Sequence, residues 1–290
     1  MKVDSTEKKK LSRSAEVWRR YRKSPTAMIG LAIISVIILG AIFADIIVPY
    51  DYGIKQVIPD RLQGPSLKHL FGTDDLGRDL FSRVIHGSRS SLVLGILTTA
   101  VATLIGGFLG GICAYYGNRV DNIIMRLLDV ITSIPSTLLS LSIVAALGPG
   151  IRNLVIAITV SRVPTFARVI RSAVLNIVNQ EYIEAAKAGG TRNLRIMLRH
   201  VYPNAMSPII VQCTMSISQL ILQAAGLSFL GMGMQPPAPE WGALLNSARD
   251  FMRTAPHLML FPGIAIVLAA LAFNLVGDGL RDAFDPRLKS

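Results

Sequence analysis

Charged side chains are scarce in this sequence. Asp, Glu, Lys and Arg make up 17% of its 290 residues, against about 25% in soluble globular domains, and the mean hydropathy is +0.48. Cysteine is nearly absent: Cys113 and Cys213 both lie in apolar stretches, which excludes a disulfide framework. The four histidines show no metal-ligand spacing, so no metal site is predicted. These shortages exclude an ordinary soluble domain.

The charges that are present avoid long stretches of the chain. No Asp, Glu, Lys or Arg occurs in residues 24–44, 90–118, 130–151, 200–239 or 254–277. The hydrocarbon core of a bilayer is about 30 Å thick, and a helix needs about 20 apolar residues to cross it. Backbone groups inside that core must be hydrogen-bonded within the segment, which favours helices. The sequence therefore predicts an all-α, polytopic integral membrane protein.

Six transmembrane helices are predicted, which places both termini on one side of the membrane. Their approximate bounds are 28–48, 91–114, 127–147, 153–170, 207–230 and 258–276. The segments on the side of the termini carry 20 Lys and Arg residues, against 9 on the other side. Because cytoplasmic loops are enriched in basic residues, we expect cytoplasmic termini in a multi-pass protein of the cell (inner or plasma) membrane. Residues 1–27 and 277–290 then flank a transmembrane domain at 28–276.

The basic N-terminal segment is predicted to contact membrane lipid. Residues 8–23 mix Lys and Arg with Trp18 and Tyr21, a pattern typical of an amphipathic helix at the cytoplasmic interface. For the first ten residues a solvated basic tail is the alternative. Topology and anionic lipid account for the formal net charge of +12, so no nucleic-acid partner is predicted.

The loop at 181–203 is the strongest candidate for docking to a soluble partner. Glu181, Glu184 and Lys187 follow one another at three-residue spacing, so they share one helical face. The alanine side chains are small, so this helix is narrow, and the glycine pair that follows permits a turn. The alternative is an ordinary connecting loop that rests on the membrane. The candidate docking residues are Glu181, Glu184, Ala185, Ala186, Gly189, Gly190, Arg195 and Pro203.

Two external segments, 72–91 and 231–257, are predicted to form the outer mouth. In the first, closely spaced acids and arginines predict an ion-paired surface motif that either caps the second span or contacts a substrate receptor. In the second, a proline-rich turn leads into a short helix that lines the mouth, supports the receptor or simply packs as a loop. The candidate receptor-facing residues are Asp74, Asp75, Arg78, Asp79, Arg83, Glu240 and Trp241.

Arg162 is the basic residue that lies deepest inside a predicted span. An ionisable group at that depth faces a cavity or a partner, which makes Arg162 a candidate for the translocation path, where it would meet a carboxylate or an anion on a neighbouring subunit. The alternative is a shorter span with Arg162 reaching the cytoplasmic headgroups. Asp129 is expected to pair with Arg126. Gly106 and Gly110, spaced as in GxxxG, predict close helix packing, and Pro135 predicts a kink.

The residues leave three classes of function to compare. The first is ATP-driven transport: no phosphate-binding loop of the P-loop type occurs in this sequence, so the energy would have to come from a partner that hydrolyses ATP. A self-sufficient secondary transporter is the second class, but the spans lack an acidic pair at mid-depth and the two halves lack evident similarity. An intramembrane enzyme needs a nucleophile–base or metal constellation at depth, and none is present. No catalytic residue is therefore predicted.

Several motifs resemble one family. Glu184-Ala185-Ala186, followed after three residues by Gly190, is similar to the EAA signature of permease subunits in ATP-binding-cassette (ABC) importers. Pro203 matches the proline that closes that signature, although His200 and Tyr202 replace the usual Ile and Leu. Three further segments resemble the C-type permeases of dipeptide and oligopeptide importers; they read GTDDLGRDLFSR at 72–83, GLSFLGMGMQPPAPEWG at 226–242 and AFNLVGDGLRDAFDP at 272–286. The resemblance covers 30–289.

This resemblance implies a complete transport complex. The 181–203 loop would hold the coupling helix that sits in a cleft of an ATPase subunit. The implied partners are a homologous second permease, two ABC ATPase subunits and an extracytoplasmic substrate-binding protein. ATP and Mg²⁺ would bind to the ATPases, with no cofactor in this chain. Import of di- or oligopeptides by alternating access is expected, with glutathione or nickel as alternative substrates.

Overall fold

The computed structural model describes residues 13–285, and within that range the regular structure is helical apart from one isolated β-bridge between Thr73 and Asp79. Short 3-10 turns and one π-helical turn, Met197–Val201, accompany the α-helices. The α-helices of this range are α1 (Arg13–Tyr21), α2 (Pro25–Ile42), α3 (Ala44–Ile47), α4 (Tyr50–Ile54), α5 (Leu80–Tyr116), α6 (Asn118–Thr132), α7 (Ser136–Leu147), α8 (Ile151–Val178), α9 (Glu181–Ala188), α10 (Asn193–Ile196), α11 (Tyr202–Phe229), α12 (Trp241–Ala248) and α13 (His257–Phe284).

Five helices of the described range are long and apolar enough to cross a membrane. They are α2, α5, α8, α13 and the continuous helical run Asn193–Phe229. The predicted third span, 127–147, contains the predicted kink: α6 and α7 meet at an angle of 80°, and they make a sixth span if the bent pair is counted as one. The break falls at Pro135, which removes a backbone donor and disfavours helix in the residue before it.

Most spanning helices extend beyond their predicted bounds. Helix α5 starts at Leu80 instead of residue 91, because the side chain of Asp79 caps it by accepting a hydrogen bond from the Ser82 backbone N–H at 2.8 Å. With 37 residues and a rise of 1.5 Å per residue, α5 is roughly 56 Å long. It therefore reaches past a bilayer core of about 30 Å and joins the two ends of the molecule.

The contact between α5 and α8 is the most extensive between any two helices described. A Cβ added to Gly106 would lie 2.7 Å from the Cβ of Phe166, and one added to Gly110 would overlap the carbonyl oxygen of Ala167. The predicted packing role of the glycine repeat is thus confirmed. Small residues of this kind let backbones approach where lipid supplies no hydrophobic drive.

Ion pairs on α6 tie the bent pair to α8. Asp129 contacts Arg168 at 2.7 Å, not Arg126 as predicted from the local spacing. Asp121 accepts a hydrogen bond from the Arg171 Nε at 2.6 Å. The prediction from spacing failed because the partner lies 39 residues away in sequence. Helix α6 is therefore attached to the surface of α8.

Helix α1 covers part of the predicted interfacial segment, while residues 1–12 lie outside the described range. Tyr21 is buried and donates its hydroxyl to the Ala27 carbonyl at 3.1 Å. Trp18 is stacked on it with ring centroids 5.8 Å apart, and half of Trp18 is exposed. Helix α1 thus packs on the bundle through Tyr21 and presents Trp18 outward.

Replacement of Gly110 by Ala tests the close approach of α5 and α8. We expect Gly110→Ala to lower the free energy of unfolding by about 1–3 kcal/mol, because the added methyl group overlaps a backbone carbonyl. Gly263→Ala in α13 is the matched control: its added Cβ meets nothing within 4 Å, and Ala is favoured over Gly in a helix by roughly 0.5–1 kcal/mol. Thermal unfolding of both variants in one detergent measures the difference, and equal stability would contradict the contact.

Candidate functional site

The 181–203 loop presents a helix that is anchored on one side and exposed on the other. Ile183 on α9 is completely buried (0% exposed) in a cluster with Val178 of α8, Ile196 of α10 and Ala205 of α11. Its neighbours Glu184 and Lys187 are exposed. The other predicted docking residues are exposed too, except Ala186, which is half-buried: Glu181, Ala185, Gly189, Gly190, Arg195 and Pro203.

Glycine ends α9 in a defined geometry. Gly190 has a φ of +74°, in the left-handed region that residues with a Cβ rarely adopt. Its N–H donates to the Lys187 carbonyl at 3.0 Å, and the Thr191 N–H donates to the Ala186 carbonyl at 3.1 Å. This pair of bonds is the Schellman arrangement, which satisfies the last carbonyls of a helix. The glycine stop predicted from sequence is therefore a rigid turn.

The second half of the loop is fastened to the end of α5. The hydroxyl of Tyr115 donates to the Asn193 side chain at 2.8 Å, and the Lys187 ammonium lies 5.0 Å above the Tyr115 ring. From Asn193 the chain continues as one helical run into α11. The loop is consequently bound to the ends of α5, α8 and α11.

The first outer segment contains a buried ion cluster. Asp74 contacts the Nε of Arg78 at 2.7 Å and the Nη1 of Arg83 at 2.9 Å. All three side chains are buried, and so is Asp79. Asp75 is partly exposed and lies 3.7 Å from Arg78. The predicted ion pairs are present, but their predicted position at the surface is wrong, because the second outer segment covers them.

A helix from the second outer segment, α12, is locked onto the start of α5. Glu240 is 1% exposed and caps α12: its carboxylate accepts hydrogen bonds from the backbone N–H groups of Gly242 at 2.8 Å and Ala243 at 2.9 Å. It also accepts one from the Ser91 hydroxyl at 3.2 Å. The indole N–H of Trp241 donates to the Val84 carbonyl at 2.9 Å, and Trp241 is 2% exposed.

These two segments together form one unit, which we call the outer cap (72–91 with 231–257) after the side of the membrane on which it is predicted to lie. Leu80 and Val84 of α5 share a hydrophobic cluster with Trp241 and Leu244 of α12. Both segments lie at one end of the bundle, and Glu240 and Trp241 hold them together from inside instead of forming a rim. Burial raises the pKa of the Glu240 carboxyl above its ordinary value of 4.5, and this desolvation outweighs the hydrogen bonds that lower it.

Arg162 is held by a polar network inside the bundle. Its Nε and Nη2 donate to the Gln223 Oε1 at 2.8 and 2.6 Å. The Gln223 amide donates to the Ser140 hydroxyl at 3.1 Å, and that hydroxyl contacts the Ser161 hydroxyl at 2.9 Å. The network joins α7, α8 and α11. Arg162 is half-buried, and no carboxylate among residues 13–285 lies within 4.0 Å of it.

The partners of Arg162 were not predicted from the sequence. Gln223 is 61 residues away, and a lone Gln or Ser in an apolar span has no recognisable motif. A usable signal existed in α11, where glutamine recurs along one helical face. Ile183 was likewise missed as the anchor of the 181–203 loop, although its position between exposed charged neighbours indicates a buried face.

The described chain is a bundle of helices long and apolar enough to cross a membrane, with a glycine-stopped loop at one end and a helix-covered cap at the other. The family model described as "Binding-protein-dependent transport system inner membrane component" matches residues 102–290. The model described as "N-terminal TM domain of oligopeptide transport permease C" matches residues 12–65. The chain therefore belongs to the C-type permease family of dipeptide and oligopeptide ABC importers, as its motifs indicated.

Relatives and a solved structure agree with this assignment. The dipeptide transport system permease protein DppC of Alkalihalophilus pseudofirmus is 47% identical over 95% of this chain and 90% of its own length. The glutathione transport system permease protein GsiD of Escherichia coli is 46% identical over 94% of this chain and 90% of its own length. The fold is similar to a chain of the inward-facing MetNI methionine ABC transporter, with a TM-score of 0.57, 18% identity, and coverage of 70% of this chain and 97% of that one. Members of this family are non-catalytic membrane subunits.

The pH dependence of stability tests the buried state of Glu240. Because its pKa is raised on folding, its stabilising contribution is complete below its ordinary pKa of 4.5 and is lost as the pH rises through the raised value. We expect the stability of the wild type relative to Glu240→Gln to fall as the pH rises above the ordinary pKa of 4.5. Thermal unfolding above this pH measures it, with the exposed Asp51→Asn as the control for loss of a carboxylate. A stability difference that rises with pH would contradict the raised pKa.

Proposed function

We propose that this chain is the permease subunit of an ATP-driven importer that moves di- or oligopeptides into the cell by alternating access. Its partners are a homologous second permease, two ABC ATPase subunits and an extracytoplasmic substrate-binding protein. ATP and Mg²⁺ bind to the ATPases, and this chain holds no cofactor. The observation that carries the proposal is α9, a helix with exposed Glu184 and Lys187 and a completely buried Ile183.

The contacts of α9 favour mechanical coupling over a passive loop. A push on its exposed face is transmitted through Ile183 to the ends of α8 and α11, and Tyr115 transmits it to α5. Because these helices are long and packed, they rotate as a body instead of bending locally. Closure of the ATPases around ATP would thus open the pathway outward, and hydrolysis would reset it inward.

The outer cap is the receptor side of this proposal. Its buried ion cluster and the Glu240 cap give it a fixed shape, which supports the partly exposed Asp75 and the neighbouring loop at 61–70. In that loop Leu67 is 100% exposed, and more than half of Leu70 is exposed. Exposed leucines on a stiff base suit contact with a protein surface. The receptor thus contacts this rim, while Asp74, Arg78, Asp79, Arg83, Glu240 and Trp241 support it from below.

A peptide substrate is supported by both relatives named above. One of them is a dipeptide permease and the other a glutathione permease, and glutathione is itself a small peptide. Glutathione is accordingly the second candidate for this chain. A self-sufficient secondary transporter is disfavoured, because the exposed α9 would then have no partner to contact.

Charge reversal on α9 tests the coupling role. We expect Glu184→Lys and Gly190→Asp each to reduce ATP-dependent uptake of alanyl-alanine at least about tenfold in vesicles that hold the complete complex. The first reverses a charge on the docking face, and the second adds a charge and strains a backbone at φ +74°. Membrane insertion should remain intact, whereas co-purification of the ATPase subunits should fall.

Asp51→Lys is the matched control for these variants, since it makes the same kind of charge reversal at an exposed residue of the outer side. We expect it to insert, assemble and transport like the wild type. Normal uptake by both α9 variants would count against the docking role. Loss of insertion in either variant would instead indicate a folding defect.

Side-specific labelling tests the proposed orientation. We expect Lys187→Cys to be protected in intact cells from a membrane-impermeant maleimide and to react after permeabilisation. Lys68→Cys, at an exposed residue of the loop beside the outer cap, should react in intact cells. The wild type, with Cys113 buried and Cys213 half-buried, gives the background. Labelling of residue 187 from outside would contradict the cytoplasmic placement of α9.

A further inference from the structure

Helix α11 carries a polar stripe that the function so far leaves unused. Gln212, Ser216, Gln219 and Gln223 follow one another at spacings of four, three and four residues. At 100° per residue they lie within about 60° of one another on the helix surface. Gln212 donates to Ser216 at 3.0 Å, Gln219 is exposed and Gln223 is buried.

A stripe of amides is costly against lipid. A polar group without a hydrogen-bond partner in hydrocarbon loses several kcal/mol, and Gln219 lies in the middle of a span that contains no charge. Amides at this depth therefore face a protein-lined or water-lined passage. One edge of such a passage in this chain is thus the face of α11 that carries Gln219.

Arg162 adds a fixed positive charge beside this stripe. It lies eleven residues after the start of α8, or roughly 17 Å along the axis. Its Nε and Nη2 both bond the Gln223 Oε1, and Ser140 holds the amide of Gln223 in turn. An arginine that only extended toward the lipid headgroups would not be held by hydrogen bonds inside the bundle. These bonds therefore favour a side chain with a fixed position.

The charge of Arg162 has no counter-ion in the described part of the chain. The acids of the neighbouring helix α6, Asp121 and Asp129, pair with Arg171 and Arg168. Gln223 supplies only a neutral acceptor. A buried or half-buried guanidinium is stabilised most by a carboxylate, which accepts charge-assisted hydrogen bonds. A ligand with a carboxylate would supply it.

We propose that Arg162, held in place by Gln223 and Ser140, binds the carboxylate of a peptide in passage. The amides of Gln212 and Gln219 then offer hydrogen bonds to its peptide groups. This inference rests on the proposed function as a peptide importer. It also accounts for one chemical feature common to dipeptides and glutathione, since both carry a free carboxylate.

The test compares two probes in the complete, reconstituted transporter with its receptor. Alanyl-alanine has a free carboxylate, and alanyl-alanine amide does not. We expect Arg162→Gln to reduce uptake of the free acid roughly tenfold or more, as the loss of a charge-assisted hydrogen bond implies, and to change uptake of the amide far less. A preference of the receptor for one of the two probes does not affect the comparison of wild type with variant, because the same receptor serves both.

Two further variants separate charge from structure. Arg162→Lys keeps the charge and should retain part of the preference for the free acid. Gln223→Glu keeps the shape of Gln223 but gives Arg162 an internal carboxylate, so it should selectively reduce uptake of the free acid. Arg152→Gln makes the same substitution in the first turn of α8 and should leave the ratio of the two probes unchanged.

The outcomes are distinguishable. A selective loss with the free acid in Arg162→Gln and Gln223→Glu supports the inference. An equal loss with both probes, especially with weaker co-purification of the second permease, would assign Arg162 to a structural or inter-subunit ion pair and overturn it. Unchanged uptake in Arg162→Gln would overturn it as well. Absence of ATP-dependent uptake of both probes by the wild type would contradict the proposed function itself.

Discussion

The backbone contact between α5 and α8 is the interaction on which the rest of the structure depends. It is possible only because Gly106 and Gly110 have no side chain to separate the helices. Helix α5 supplies the foundation of the outer cap at one end and Tyr115 at the other, while α8 leads directly into α9. A looser contact would let the two ends move independently. Packing of small residues thus joins the two helices into one unit. In a membrane, where hydrophobic burial does not drive helix association, this close packing holds the helices together.

The arrangement of the charged groups in the bundle reflects the low dielectric constant of its interior. The Asp74–Arg78–Arg83 cluster is buried, so each charge there needs a partner and hydrogen bonds to offset its desolvation. Asp74 provides both, because it also accepts backbone hydrogen bonds from Leu76 and Arg78. Such a cluster tolerates little displacement. A stiff cap follows, which suits a surface that must hold a fixed shape beside a partner protein.

Sequence patterns predicted what depends on local composition. The charge-free stretches located the spanning helices, and the glycine pair located the end of α9, because the left-handed φ of Gly190 is a local requirement. Helix ends were less accurate: Asp79 is a good N-cap, but the polar residues after it concealed the first turns of α5. Burial of the Asp74 cluster and the pairing of Arg162 with Gln223 depend on residues far apart in sequence. Composition and spacing carry no information about such contacts.

The form of α9 suits the proposed role of the loop in coupling. A helix of eight residues is marginal on its own in water, since isolated helices need about 12–15 residues. Here Ile183 anchors it, and the turn at Gly190 satisfies its last carbonyls. A partner that docks on Glu184 and Lys187 therefore contacts a preformed helix and loses little binding energy to ordering it. The same anchoring means that displacement of α9 must displace α8 and α11, because Ile183 cannot leave its cluster without exposing a completely buried side chain. Binding and movement are thereby coupled through one residue of the helix.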